Sequence, residues 1–188
     1  GQLLSGDYIS GWENYEWRWK QNTITLHTSP KIKKWGESTL TNDCKLMIVS
    51  EQGLGDTLLY MRYITLIRRL KIEVLFCAQR KLHSLIKSSS IIDNPLTPEQ
   101  GGMIKEGKWL PLLSIPKYLG VTYQNPIFNA PYIFSTKKLI NKWEKILGNE
   151  KKPIIGINWQ GDPRIEKIYR GRSIPLEVFS KLLKQNKI

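Results

Sequence analysis

An α/β fold built around a parallel sheet is what this sequence predicts, and three observations predict it. An apolar run at residues 45–50 and another at 72–77 flank a stretch of helical periodicity, the order strand, helix, strand. The second run is apolar at nearly every position, as a strand covered on both faces must be. Between the first run and the helix lies Glu51-Gln52-Gly53-Leu54-Gly55-Asp56-Thr57. In open parallel sheets, ligands bind on such loops, at the carboxyl ends of the strands.

The elements follow in chain order. Residues 1–20 carry Trp12, Tyr15, Trp17 and Trp19 and read as a helix, with Tyr8, Trp12 and Tyr15 on one face. A short helix cannot bury such a face alone, so it needs the body of the domain or a helical partner. Residues 21–43, with Pro30, Gly36 and scattered Lys, read as an extended surface linker. The helix after the glycine loop spans about 57–70; it buries Leu58, Met61 and Ile64 and keeps the heads of Arg62, Arg68 and Arg69 in water. A second helix is expected over 81–88 and a loop over 94–107. The run 109–116 leads into a short helix at 117–119. A short strand is expected at 131–134 and a helix at 136–147, with Leu139 and Trp143 on one side.

A change of composition at residues 148–153 marks a boundary. Beyond it a strand at 154–158, a polar loop at 159–163 and a helix opened by Pro175 begin a second α/β unit. Three parts result: an aromatic helical segment with its linker (1–43), a Rossmann-like domain (44–148), and the start of a second α/β domain (149–188). One strand and one helix cannot enclose a core, so this last part reads as truncated.

Composition bounds the function. Hydrophobic residues make up 40% and charged residues 24% of the 188, ordinary proportions for a globular chain. No apolar run approaches the ~20 residues of a membrane span, and the first seven residues lack the pattern of a signal peptide. The chain begins without Met, as a piece of a longer protein would. Cys44 and Cys77 are too few for a disulfide framework and lack metal-ligand spacing, which suits a reducing cytoplasm. The formal net charge is +13, with 13 Lys/Arg against five acids from Lys137 onward. Such a field favours anionic partners, nucleic acid, nucleotide sugars and anionic lipid among them. A Lys-rich composition produces the same charge with no partner at all.

The loop itself is selective. Gly53-x-Gly55-x-x-Leu58 lacks the third glycine of a dinucleotide fingerprint. Asp56-Thr57 after Gly55 replaces the Lys-Ser/Thr of a phosphate loop, and an acid there repels phosphate. An NAD or ATP site is therefore disfavoured. Gly53 and Gly55 let the backbone turn sharply and let a ligand come close. Asp56 has two readings, a carboxylate facing the cleft and an N-cap of the helix.

Five ordered blocks then carry a resemblance. Residues 6–18 (Gly-Asp-Tyr-Ile-Ser-Gly-Trp-Glu-Asn-Tyr-Glu-Trp-Arg) resemble the segment that follows tetratricopeptide repeats in certain bacterial glycosyltransferase-like proteins. Glu51–Thr57, Leu113-Ser114-Ile115-Pro116, Gly156-Ile157-Asn158-Trp159-Gln160-Gly161 and Arg172-Ser173-Ile174-Pro175-Leu176 resemble their later blocks. More distantly the chain is similar to the heptosyltransferases of glycosyltransferase family 9. That resemblance implies a GT-B architecture, of which this chain holds the N-terminal, acceptor-type half. It implies Asp56 as general base toward an acceptor hydroxyl. It also implies Arg172, with Ser173, as a diphosphate contact beside a helix start. Glu51, Gln52 and Trp159 are further cleft candidates. The co-substrate would be a nucleotide sugar, with no cofactor and no metal, and the incomplete donor domain implies no turnover by this piece alone.

Two other functions compete. A non-catalytic module binding a glycan or a protein would use the aromatic N-terminal segment as its surface. Nucleic-acid binding rests on charge alone, since no recognised module or aromatic platform accompanies the basic residues.

Overall fold

Leu46, Met47, Ile48 and Val49 alternate between two apolar faces, and the first unit is assembled on them. The computed structural model describes residues 1–21, 24–36, 39–43, 45–126, 131–161, 173–178 and 180. The chain forms two units, Gly1–Ile140 and Asn141–Ile188.

The first unit opens with α1 (Gln2–Ser5), α2 (Tyr8–Tyr15) and a 3-10 turn over Glu16–Lys20. Then come β1 (Lys33–Lys34), β2 (Leu46–Val49), α3 (Leu54–Tyr60), α4 (Arg62–Arg69) and β3 (Val74–Cys77). A 3-10 turn over Arg80–Leu82 leads into α5 (His83–Ser88), followed by α6 (Pro98–Met103), β4 (Lys108–Pro111) and α7 (Ile115–Tyr118); α8 (Lys137–Leu147) contains the boundary between the units. The strands form one all-parallel sheet in the order β1-β4-β2-β3, a mixed α/β arrangement compatible with a Rossmann-like fold. Leu46 and Ile48 face a core made with Met61, Ile64, Ile67, Phe76 and Ile86. Met47 and Val49 face a smaller cluster with Cys77, Leu26 and Trp109. All four β2 residues are buried, which is why the run carries no polar alternation.

Topology positions the site. From β2 the chain crosses through α3 and α4 to β3 on one side, then returns to the other side of β2 to form β4. The winding reverses between β2 and β4, and the crevice at the carboxyl ends of these adjacent parallel strands is the switch point where ligands bind in open α/β sheets.

Several expectations are corrected. The helix expected at 57–70 begins at Leu54 and is two helices, because Ile64 N–H bonds the Met61 carbonyl three residues back and tightens the ladder there. The linker 21–43 is partly structural: it supplies β1, pairs Leu26 antiparallel with Glu51, and buries Trp35. The loop 94–107 contains α6, capped by Thr97 Oγ1 from Gln100 N–H and by Gln100 Oε1 from Thr97 N–H. Residues 131–134 are no strand. Their polar groups are taken by helix ends instead: Tyr132 donates its hydroxyl to Leu58 O (2.8 Å), and Phe134 N–H bonds Ser89 Oγ (2.9 Å). Arg62 and Arg68 do not end only in water; Arg62 bonds the Tyr132 hydroxyl and Arg68 the Ile91 carbonyl.

The aromatic segment docks on the sheet unit. Tyr8, Trp12 and Tyr15 contact in series at 6.3 and 6.2 Å, as their spacing predicts. Trp12 Nε1 donates to Val121 O at 2.7 Å.

In the second unit, residues 154–158 form no strand. Ile154 and Ile155 stay exposed, and no described strand lies beside them to accept their ladder. Residues 176–178 are helical after Pro175. Among the described residues no helix is long and apolar enough to cross a membrane.

Candidate functional site

Glu51 extends β2 into the switch-point crevice, and its side chain is fully buried. Both oxygens of its carboxylate are engaged. Arg18 Nη2 donates to Oε1 at 2.9 Å and Arg18 Nε to Oε2 at 3.2 Å, while the Leu113 backbone N–H donates to Oε1 at 3.1 Å. The same guanidinium donates to Ser114 Oγ (2.8 Å), Glu16 Oε1 (2.8 Å) and Tyr15 O (3.1 Å), and its plane lies over the Tyr15 ring. Ser114 Oγ in turn donates to Glu16 Oε1 at 2.7 Å. Burial pulls the Arg18 pKa down, but the bonds to Glu51 and Glu16 hold it above its ordinary value. The base of the crevice is thus a closed ionic network, formed by the N-terminal segment and the loops after β2 and β4.

Gln52 makes the turn. It is the one loop residue from 51 to 56 with left-handed backbone, φ 61°. Its N–H bonds Thr25 O at 2.9 Å, and its carbonyl lies 2.8 Å from His27 Nε2. The two glycines, expected to make the turn, do not. Gly53 is the N-cap of α3 in extended conformation, and neither it nor Gly55 has positive φ. A Cβ on Gly55 would meet nothing within 4 Å. Space for an approaching group is the part of the expectation that remains open for Gly55.

Asp56 lies at the third position of α3, not at its N-cap. Its Oδ2 accepts the Gly53 N–H at 2.9 Å, half of a capping box. Oδ1 carries no hydrogen bond among the described residues, and the side chain is half-buried, so the carboxylate keeps a face toward solvent. Beside it Thr57, fully buried, donates to Gln79 Oε1 at 2.9 Å, and Gln79 Nε2 lies 2.9 Å from His27 Nε2. His27 Nε2 either donates to the Gln52 carbonyl or accepts from the Gln79 amide, while Gln79 holds Thr57 at the other end of the loop.

Two phenols sit within the field of these acids. Burial raises the Tyr15 pKa, partly offset by Arg18, with Glu51 and Asp56 pushing the same way as burial and a bond to the Gln52 side chain opposing. Burial pushes Tyr60 up to about 12, with Tyr15, Tyr63 and Asp56 adding to it. Both phenols stay neutral near pH 7 and can donate hydrogen bonds.

Sequence reasoning placed Glu51, Gln52, Gly53, Gly55 and Asp56 on one loop, and the structure brings them together at the switch point. Trp159 and Ser173 belong to the second unit, where Ile174 N–H bonds Trp159 O (2.9 Å) and Gly161 N–H bonds Ser173 Oγ (3.3 Å). Arg172 lies outside the described residues. Arg18, His27 and Gln79 were missed: each reaches the loop from more than 20 residues away, which no local pattern reports, and Ser114 joins the network only through Arg18 and Glu16. No cluster of three or more His, Cys, Asp or Glu suited to a metal occurs among the described residues. No family model, curated protein or solved structure matches the chain.

Proposed function

We propose that this chain is the acceptor-side part of a glycosyltransferase-like protein of GT-B architecture, with Asp56 as the general base. The observation that carries the reading is the half-exposed Asp56 carboxylate, one oxygen unbonded, on the loop at the switch point of a parallel sheet. An acceptor hydroxyl attacking an anomeric carbon must shed its proton, and a carboxylate at hydrogen-bond distance takes it while the sugar–phosphate bond of a nucleotide sugar breaks. The nucleoside diphosphate is the leaving group, and the family resemblance implies Arg172 and Ser173 as its contacts. The sequence blocks that resemble glycosyltransferase-like proteins support the same reading.

The test uses the native polypeptide that carries this chain, offered a panel of nucleotide sugars, with released nucleoside diphosphate as the readout. Asp56→Asn is expected to lower kcat by about 10²–10⁴-fold, the usual contribution of a general base. Normal transfer by that variant ends the assignment.

A second reading, a non-catalytic module that binds a glycan or protein, is favoured by one observation. Leu4, Ile9 and Trp17 on the N-terminal segment are exposed, Trp17 with Lys20 Nζ stacked 3.4 Å from its ring. Trp17→Ala should leave the fold intact and remove partner capture on this reading. Unchanged capture rejects it.

A further inference from the structure

We infer that Arg18 is a positioning residue for the 51–57 loop, so that the N-terminal segment is a working part of the candidate site. The inference rests on the proposed role of that loop but is tested without it. Arg18 is buried, yet its side chain does far more than attach its own segment. Its guanidinium plane grips both oxygens of Glu51, and Glu51 is covalently followed by the left-handed Gln52. Left-handed backbone is disfavoured for a residue with a side chain and persists only where its surroundings over-determine it. Here Glu51 is clamped on one side of Gln52, and Gly53 N–H is held by Asp56 on the other. Between them, Gln52 N–H is taken by Thr25 and its C=O lies 2.8 Å from His27 Nε2.

Releasing Glu51 removes one of these fixed points. The turn at Gln52 then relaxes toward commoner backbone, and Gly53 swings, taking the Asp56 carboxylate with it. Arg18 also joins the two sides of the crevice, because Glu51 belongs to the β2 loop and Ser114 to the β4 loop. Lys cannot replace it. A single ammonium lacks the planar fork that meets Glu51, Glu16 and Ser114 together.

Two other features stand out, the exposed side of α8, with Leu139, Ile140 and Trp143, and an open cavity at the start of β3 lined by Arg68, Lys71 and Asp93. Neither shows what would fill it. The Arg18 network is the feature with consequences for chemistry.

Hydrogen exchange on the full 188-residue chain tests the inference. In Arg18→Lys, the bonded amides of the 52–57 stretch, Gln52, Gly53 and Thr57, should lose protection by about 10- to 100-fold, the factor carried by losing hydrogen bonds to a charged group. Amides of β3 and α4 should keep theirs. A purely structural Arg18 predicts a uniform loss across the unit, or a loss confined to residues 1–20; either result overturns the proposal. Should Arg18→Lys fail to fold, the paired variant Arg18→Met with Glu51→Met removes both charges, a replacement buried ion pairs commonly tolerate. The same local loss at 52–57 is expected there, and unchanged protection refutes the inference. Failure of Asp56 as a base would appear in the transfer assay and would leave this exchange pattern untouched.

Discussion

Gly55 occupies the second position of α3 with no positive φ, and a methyl group built on it touches no other atom within 4 Å. Neither backbone conformation nor packing demands a glycine there. Glycine costs about 0.8–1 kcal/mol relative to alanine in a helix interior, and roughly half of that is reasonable for a first turn. Gly55→Ala should therefore stabilise the chain by about 0.5 kcal/mol. For a chain of this size that corresponds to a Tm rise of roughly 1–2 °C, from ~2–4 °C per kcal/mol. Thermal unfolding followed by circular dichroism, with urea midpoints alongside, measures it. The same methyl group stands on the open side of the loop beside Asp56, so ligand binding or transfer should weaken while stability rises. A loss of stability above ~1 kcal/mol would refute the backbone geometry of the loop. Unimpaired binding in the stabilised variant would refute the idea that Gly55 leaves room for a ligand.

Gly107 gives the opposite result. Its φ is +95° and an added Cβ would collide with the Lys45 backbone oxygen, so Gly107→Ala should destabilise by more than ~2 kcal/mol, read from the urea midpoint. Alkali should also weaken the fold through Tyr60. Its native pKa of about 12 lies above the ordinary value of 10.0, so its contribution is complete below pH 10 and lost as pH rises toward 12. Wild type should therefore lose stability relative to Tyr60→Phe across that interval; parallel curves for the two would contradict the burial of the phenol. Cys77, buried and raised from 9.0 to about 11 by that burial, should resist alkylation at pH 8 and react only in step with unfolding.

The resolved parts of this fold were legible where a local pattern has one physical cause. The strand at 46–49 is apolar throughout because both of its faces are covered. The α6 helix was equally written in the chain, as Thr97-Pro98-x-Gln100, a capping box with Pro at the first position. It was hidden by Gly101 and Gly102, read as loop residues. Gly101 is in fact buried, with Cys77 Sγ and Thr28 packed where a side chain would go.

The site was half legible for a different reason. Asp56 and its glycines declare themselves because the loop's chemistry is contiguous in sequence. What holds the loop is not contiguous. Arg18 lies 33 residues from Glu51 and 96 from Ser114, in a segment whose obvious feature is its aromatic rings. A charged residue among tryptophans looks like a solvent-facing break in an apolar stripe, and only the sheet topology shows that it faces the crevice instead. Glu51 shows the same limit of local reading. An acid beside a glycine loop invites a role in binding, yet three donors from two distant segments already engage both of its oxygens. A buried carboxylate with both oxygens engaged cannot accept a ligand without first giving up Arg18, and uncovering that buried charge would cost several kcal/mol. On the proposed reading, chemistry at the switch point falls to the residue the network leaves partly free, Asp56, and the network's task is to keep it there.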